Sequence, residues 1–342
     1  MTETVKIAQW PTPIDVDEDQ TILEAALEQA VPYPHGCRSG NCGACKSRLY
    51  EGEVEMEPYS DFALTGEERA DGFVLACRAH PLGPVALAWA QDEAEMVAHP
   101  LRRFDGRVVA VDAMTHDIRR LRIAPPEGRR LDFSAGQYAT LTFGGLPPRD
   151  FSMANRPDEP VLEFHVRAVE GGAASRHVAE RLAVGDAVHV EGPFGSSYLR
   201  EHHRGPILAI AGGSGLAPIK AIVETALAKG MPQPIYLYFG VRDERDLYLE
   251  EHFRALAAAH PRLRFIPVLS EPEGPTRRRT GLVSAAVAAD FDDLDGCKAY
   301  VAGPPAMVEA TVRALEIRDI RSEDIHADAF YTEAEKAAQR AP

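Results

Sequence analysis

The sequence predicts a multidomain chain of mixed α+β and α/β class, and three observations carry that reading. Four of the five cysteines lie before residue 80; short alternating apolar runs fill residues 104–199; and a strand, glycine loop, helix pattern sets in after Pro206. A length of 342 residues exceeds what one core usually fills. The expected division is a cysteine-bearing α+β module at 1–95, a linker at 96–103, an antiparallel β-barrel at 104–202, a parallel α/β domain at 203–335 and a tail at 336–342.

In the first module Val5–Trp10 reads as a strand. Asp17–Asp19 then leads into Ile22, Leu23, Ala26, Leu27 and Ala30 at helical spacing, with acids where the helix dipole favours them. After the cysteine loop, the alternation of Leu49–Met56 predicts one strand, and Asp92–Pro100, acidic and proline-terminated, reads as the connecting segment. Arg107–Val111, Ile118–Ile123, Tyr138–Phe143, Val161–Val166 and Ala187–Val190 are separated by Gly, Pro and Asp, which suggests antiparallel strands closing into a barrel. Beyond them, Ile207–Ala211, the loop Gly212–Pro218, an amphipathic Ile219–Lys229 and Ile235–Phe239 begin a parallel sheet that continues through Phe265–Leu269 and Ala299–Ala302. The charged segment after Tyr331 reads as a frayed tail.

Charge restricts the partners. With 37 basic and 52 acidic residues the net charge is −15, which repels nucleic acid and anionic lipid. It is unevenly distributed: residues 1–95 hold 18 acidic and 6 basic side chains, a net of −12. No run approaches the roughly 18 apolar residues of a membrane span, and Met1–Trp10 lacks the apolar segment of a secretion signal, so a cytoplasmic chain is expected.

Cys37, Cys42 and Cys45 form C-x4-C-x2-C, and Cys77 follows after 31 residues. This is the spacing of a plant-type [2Fe–2S] site, in which four thiolates hold two irons. Gly36, Gly40 and Gly43 let the backbone wrap and turn N–H groups toward sulfur, and the small Ala44 does not obstruct. The alternatives are a structural zinc, for which paired C-x2-C units are expected, and buried free thiols. Cys297 stands apart and reads as a small buried hydrophobe.

Three further stretches suggest ligand loops. Arg149-Asp-Phe-Ser152 is an extended segment on which the arginine, the aromatic and the hydroxyl are expected to share one side. Gly171-Gly-Ala-Ala-Ser175 follows a strand and opens a helix, a setting that offers N–H groups to phosphate; a solvated turn is the plain alternative for both stretches. Ile210-Ala-Gly-Gly-Ser-Gly-Leu-Ala-Pro218 has the strand before it and the helix after it that a phosphate cradle needs, although Pro218 replaces the third glycine of the fingerprint. A tight βα turn is its alternative. Val301-Ala-Gly-Pro-Pro-Ala-Met307 ends a later strand on the same sheet edge.

Together with His116-Asp-Ile-Arg-Arg-Leu-Arg122, Gly136-Gln-Tyr-Ala-Thr-Leu141, Leu237-Tyr-Phe-Gly-Val-Arg242, Asp246-Leu-Tyr248 and Ala327-Asp-Ala-Phe-Tyr331, these motifs span essentially the whole chain. They resemble the ferredoxin-NAD(P)H reductase family in its form with an N-terminal [2Fe–2S] domain, and within it the reductase components of naphthalene-dioxygenase-type ring-hydroxylating oxygenases. The resemblance implies a β-grasp ferredoxin domain, an FAD-binding barrel and an NAD-binding α/β domain. It implies cluster ligands Cys37, Cys42, Cys45 and Cys77; Arg149 on the FAD pyrophosphate, Phe151 on the isoalloxazine and Ser152 near N5 as the catalytic hydroxyl. It further implies flavin contacts at His165, Val166 and Arg167, at Gly171, Gly172 and Ser175, and from Phe330 as the C-terminal aromatic cover. The pyridine nucleotide is implied at Gly213, Ser214, Gly215, Leu216 and Pro218, at Gly303, Pro304 and Met307, and at Arg242. Two positions depart from the family pattern: Phe151 stands for its tyrosine, and Ala302 for the cysteine before Gly-Pro.

Where NADPH-preferring members carry Ser-Arg, this chain has Ser270–Glu271, whose carboxylate would repel a 2′-phosphate, so NADH is the expected donor, with use of both nucleotides through compensation by Arg242 as the alternative. The implied route runs from NADH to FAD to the [2Fe–2S] cluster and on to an oxygenase component or an intermediate Rieske ferredoxin. A reductase for a di-iron monooxygenase or a sugar-deoxygenating system would share every motif, and a redox-sensing module without turnover is the alternative of another class. The acids Glu51, Glu53, Glu55, Glu57, Glu67 and Glu68 are either a solvated face or a surface that steers a basic partner.

Overall fold

The computed structural model describes residues 2–61, 63–90, 97, 99–332 and 334–335. It falls into two compact units, Met1–Leu101 with Phe194–Ser196 and Tyr331–Pro342, and Arg102–Pro193 with Ser197–Phe330.

The first unit is built from β1 (Thr2–Ile7), β2 (Ile14–Asp17), α1 (Ile22–Glu28), β3 (Lys46–Glu51), β4 (Val54–Met56), α2 (Gly66–Ala70), β5 (Phe73–Leu75), β6 (Ala79–Pro81) and β7 (Val85–Trp89). Its main sheet runs β2-β1-β7-β3-β5, with β1 and β7 parallel and the other pairs antiparallel. Ile22, Leu23, Ala25 and Ala26 of α1 join Val5, Ile7 and Leu87 in one core, the helix-across-sheet packing of a β-grasp. The helix begins at a cap formed by Thr21 and Glu24, nearer than the expected Asp17–Asp19, and ends at Glu28 because Ala30 turns left-handed at φ 61°. The single strand expected over Leu49–Met56 is two. Gly52, at φ 85° with Pro84 O only 2.3 Å from where a Cβ would stand, breaks it, and β4 pairs with β6 instead of continuing the main sheet.

The second unit opens with β8 (Arg102–Ala113), β9 (Ile118–Ala124), β10 (Tyr138–Phe143), β11 (Arg149–Ser152), β12 (Leu162–Arg167), α3 (Ala173–Glu180) and β13, which runs Ala187–Phe194. The strands lie in the order β11-β10-β13-β8-β9-β12, and a bridge between Met153 and Phe164 joins the two ends, closing an antiparallel barrel over Phe104, Val108, Leu121, Leu141 and Phe164. β8 begins within the segment expected as linker; residues 96 and 98 of that segment, and the whole of the expected tail at 336–342, lie outside the described residues. Buried and exposed residues alternate from Phe104 to Val109, a bulge between Val108 and Ala110 ends that alternation, and the run expected over Arg107–Val111 covers only the middle of this twelve-residue strand.

From Ile207 the chain alternates strand and helix: β14 (Ile207–Gly212), a 3-10 turn at Gly213–Gly215, α4 (Leu216–Ala228), β15 (Ile235–Val241), α5 (Glu250–Ala259), β16 (Leu263–Leu269), β17 (Arg279–Thr280), α6 (Val283–Asp290), β18 (Lys298–Gly303), α7 (Pro305–Glu316) and β19 (Ile325–Ala329). The sheet is parallel throughout, in the order β17-β16-β15-β14-β18-β19. All residues of β14 and β18 are buried, as strands covered on both faces must be. The chain turns from one side of β14 to the other between β15 and β18, which puts the switch point, and hence the ligand crevice, at the carboxyl ends of β14 and β18.

One ion pair anchors the far end of this sheet: Lys298 Nζ, at the start of β18, meets Asp324 Oδ1 at 2.9 Å just before β19, with both side chains buried. Burial opposes the charge on Asp324, but Lys298 and Arg321 outweigh it and hold the carboxyl below its usual range. A depressed carboxylate stabilises the fold above its unfolded pKa and loses that contribution as pH falls through the folded value. Asp324→Asn, which leaves the buried ammonium without this partner, is expected to cost about 3 kcal/mol at neutral pH. Melting curves should show the gap to wild type closing as the medium is acidified below the usual carboxylate range; a gap constant with pH would contradict the assignment.

Candidate functional site

The cysteine loop follows α1 and ends at β3, while Cys77 comes from the turn after β5. Sulfur contacts sulfur between Cys37 and Cys42 and between Cys45 and Cys77. Backbone N–H groups converge on them: Asn41 donates to Cys37 Sγ at 3.2 Å, Cys37 to Cys42 Sγ at 3.3 Å, with Ser39 on Cys37, Ala44 on Cys42 and Gly40 on Cys77. Gly36 and Gly40 make this approach possible, since a Cβ would stand 2.9 Å from Cys42 Sγ and from Arg78 Cγ respectively. The Cys42 contact pulls the Cys37 thiol below its ordinary range, with Ser39 and Asn41 helping against burial. The same contact pushes Cys42 up, and the Cys45 contact pushes Cys77 up. Four sulfurs this close cannot all ionise without positive charge among them, and the N–H donors suit a net-negative group, so the residues fit a thiolate-bound iron cluster. Cys297 is buried in the core against α6 and α7, and burial pushes its thiol up to about 11.

Within the same unit, His35 Nδ1 bonds Tyr33 O at 2.7 Å and its Nε2 accepts from Gly195 N–H at 2.9 Å, a pattern that makes it the neutral Nδ1–H tautomer. The Arg38 guanidinium lies 3.9 Å from the Phe194 ring centre.

On β11 the period of two separates what had been expected on one side. Phe151 turns edge-on to Phe143 of the barrel, whereas Ser152, one residue further, is buried and donates to Asp328 Oδ2 of β19 at 3.3 Å. Arg149 Nη1 donates to Pro148 O at 2.7 Å. Gly172 caps α3 without any side-chain acceptor, which leaves the first-turn N–H groups to a ligand. The Ser175 hydroxyl is committed within the loop, accepting from Val169 N–H and donating to Gly172 O, so only its backbone can serve a phosphate.

β12 points Val166 into the barrel and His165 and Arg167 to the other face. His165 offers no open edge: its ring is shut between Glu163 at 3.2 Å and Tyr248 at 3.0 Å. Arg167 stands at the glycine loop, its Nη1 3.9 Å from where a Cβ of Gly213 would be, and donates to Asp117 at 2.8 Å. His116 lies between Asp117 and Asp246, and Asp246 meets Arg242 at 3.7 Å, so Arg167 and Arg242, expected at different ligands, belong to one charge cluster.

At the switch point the expected nucleotide residues do come together. A Cβ on Gly215 would stand 2.1 Å from Ala302 O, one on Gly303 2.9 Å from Gly212 O, and one on Gly212 2.4 Å from Met307 Sδ, so bare backbone is what lets β14 and β18 meet beneath Pro304 and Met307. Leu216 is a core residue, and Pro218 fits the first turn of α4, where its missing N–H costs nothing. Phe330 N–H is pinned to Gly303 O at 2.9 Å. Glu271 N–H bonds Arg242 O at 2.8 Å, placing the exposed Glu271 beside Arg242 at the ends of β16 and β15.

Three known families match in register with this architecture: a 2Fe-2S iron-sulfur cluster binding domain over residues 5–82, an oxidoreductase FAD-binding domain over 105–198 and an oxidoreductase NAD-binding domain over 209–313. The reductase component of the naphthalene 1,2-dioxygenase/salicylate 5-hydroxylase systems of a Ralstonia species is 42% identical over 321 residues, 93% of this chain and 95% of its own. The chain belongs to the ferredoxin–NAD(P)H reductase family with an N-terminal [2Fe–2S] domain. Another member, the reductase component of phenol 2-monooxygenase from a Pseudomonas species, is 37% identical over 345 residues, covering 99% of this chain and 97% of that one. The crystal structure of a cytochrome P450 reductase from Amycolatopsis superposes with a TM-score of 0.83 at 38% identity, covering 96% of this chain and 99% of the other. This reductase is therefore an oxidoreductase with [2Fe–2S], FAD and NAD domains in that order. Among the described residues no helix is long and apolar enough to cross a membrane.

The Asp328 partner of Ser152 and the Glu163–His165–Tyr248 chain were not foreseen in the sequence, because their members lie up to 176 residues apart. Cys77→Ala is expected to give a reductase without the visible absorption and stoichiometric iron of a [2Fe–2S] cluster, while Cys297→Ala keeps both; iron retained in the first or lost in the second would contradict the ligand set.

Proposed function

We propose that this reductase oxidises NADH and delivers the electrons, through FAD and its [2Fe–2S] cluster, to a ring-hydroxylating oxygenase or an intermediate Rieske ferredoxin in the cytoplasm. The observation that carries the reading is the joining, on one chain, of a pyridine-nucleotide domain to a four-cysteine site ringed by N–H donors. Bound flavin supplies the conversion between the two, since it takes up an electron pair as hydride and gives up electrons singly. In this reading the domains are 1–95, 104–202 and 203–335, with Cys37, Cys42, Cys45 and Cys77 as cluster ligands.

Arg149, Phe151 and the N–H groups at Gly171, Gly172 and Ser175 would hold the flavin, and Phe330 would cover it. Ser152, whose hydroxyl is oriented by Asp328, would be the polar group beside the flavin's hydride-accepting atom. Gly213, Ser214, Gly215, Gly303 and Pro304 form the nucleotide crevice, with Arg167 and Arg242 as its cationic rim. Ser152→Ala is expected to slow flavin reduction at saturating NADH about tenfold, the worth of one well-placed hydrogen bond. Glu271 faces the place of a 2′-phosphate, so NADH should reduce the flavin faster than NADPH at equal concentration, and Glu271→Arg should shift that preference toward NADPH. Faster reduction of the wild type by NADPH would overturn the Glu271 argument.

The acid surface is narrower than the sequence implies. Glu57 is bound to Arg78 and His80, and Glu68 to Lys46 and Thr65, leaving Glu51, Glu53, Glu55 and Glu67 exposed. A second reading, delivery to a monooxygenase, is favoured by the phenol 2-monooxygenase relative. Reconstitution decides: product formation with purified naphthalene-dioxygenase-type ferredoxin and oxygenase, and none with a phenol-hydroxylating oxygenase, supports the first reading, and the reverse supports the second. If the exposed acids steer the partner, that transfer should slow as salt rises from low to moderate while NADH-to-flavin transfer stays level.

A further inference from the structure

The outward face of β12 carries Glu163, His165 and Arg167; His165 is buried there under α4 and the segment after β15, with Glu163 and Arg167 half-buried beside it. Lys220 of α4, itself buried, donates to Ala154 O at 3.0 Å and contacts Glu224 at 3.2 Å and Glu163 at 3.4 Å. Glu163 lies between Lys220 and His165 Nε2. His165 Nδ1 lies 3.0 Å from the Tyr248 hydroxyl, and that hydroxyl lies 3.4 Å from the carbonyl of Gly213, the first residue of the glycine-rich turn. A buried polar chain thus runs from a paired lysine to the loop at the nucleotide crevice.

The hydrogens in this chain can be counted. Burial opposes ionisation of Glu163, but His165, Lys220 and Arg120 outweigh it and hold the carboxyl at about 2, so it only accepts and His165 Nε2 must donate to it. Tyr248 has one hydroxyl proton for two acceptors. With His165 neutral, Nδ1 accepts the hydroxyl's hydrogen bond and Gly213 O is left with its bond from Leu216 N–H. With His165 protonated, Nδ1–H donates to the Tyr248 oxygen and the hydroxyl proton goes to Gly213 O. The peptide joining Gly213 to Ser214 is planar and trans, so a carbonyl drawn toward the buried Tyr248 aims the Ser214 N–H the opposite way, to the open side of the turn.

We propose that Tyr248 and His165 are a proton-coupled positioning pair for the pyridine-nucleotide loop: protonation of His165 turns the Tyr248 hydroxyl to donate its hydrogen bond to the Gly213 carbonyl, and so fixes the peptide that presents Ser214 N–H to the bound nucleotide. The inference rests on the reading of Gly213–Gly215 as the NADH loop. The groups facing His165 are Glu163 on its own strand, Arg120 opposite it on β9, Lys220 on α4 and Tyr248. Burial lowers the affinity of His165 for its proton and Glu163 raises it, while Lys220 and Arg120 lower it again; the net shift is downward, so the change belongs below the ordinary histidine range.

The test is anaerobic stopped-flow reduction of the flavin in the holoenzyme, at a series of NADH concentrations from pH 8 to pH 5, which separates the apparent Kd from the limiting rate. The wild type should bind NADH more tightly as pH falls, with Kd dropping by about fivefold at most, the worth of one hydrogen bond. Tyr248→Phe should show a pH-independent Kd near the wild-type high-pH value, with the limiting rate moved far less than Kd. A wild-type Kd flat across the range overturns the proposal without any variant, and so does a Tyr248→Phe protein, with flavin and iron intact, that keeps the wild-type pH profile. No flavin reduction by NADH in the wild type would instead refute the functional reading on which the proposal stands.

Discussion

Each site in this reductase depends on bringing negative charge against bare backbone. At the cluster loop, N–H groups of Cys37, Ser39, Gly40, Asn41 and Ala44 face sulfur. At α3 and α4, helix starts without side-chain caps face the places proposed for pyrophosphate. Backbone donors can approach so closely only where no side chain stands between, and the positions where a Cβ would collide, Gly36, Gly40, Gly212, Gly215 and Gly303, are glycines. The meeting of β14 and β18 through such glycines also sets the crevice from which the sheet fans out.

The second device is a buried charge network where an apolar contact would be simpler. Glu163, Lys220 and Glu224 are all deeply placed, and taking them out of water is expensive unless every partner is in position. Such a network adds little net stability. What it provides is orientation, since each hydrogen bond restricts its neighbour and the chain ends at the Gly213 carbonyl. Arg167 is hydrogen-bonded to Asp117, so this cation at the crevice is oriented before any ligand arrives, while the exposed Arg242 makes a looser pair with Asp246.

Much of this organisation is legible in the residues. Cys37, Cys42, Cys45 and Cys77 have a spacing that few sites share, and β10, β14, β15 and β16 carry patterns long and regular enough to place within a residue or two. What escaped the pattern has local causes: Gly52 divides a strand whose alternation looks continuous, and the ends of β8 offer few apolar residues beyond Phe104 to mark them as strand. The common side expected for Arg149, Phe151 and Ser152 failed on strand geometry, because an offset of three reverses the face. Asp328 and Tyr248 could not be paired with Ser152 and His165 from spacing, since only the folded second unit joins residues so far apart in sequence.

The central claim is that electrons from a nicotinamide donor reach the four-cysteine site through the flavin of the same chain. Anaerobic titration of the holoenzyme with NADH, followed by flavin absorbance and by the low-temperature electron paramagnetic resonance of the cluster, tests it most directly. The account predicts uptake of about three electrons per chain, two at the flavin and one at the cluster, with a reduced [2Fe–2S] signal approaching one spin per chain. Flavin bleaching with no cluster signal at any NADH concentration would contradict it.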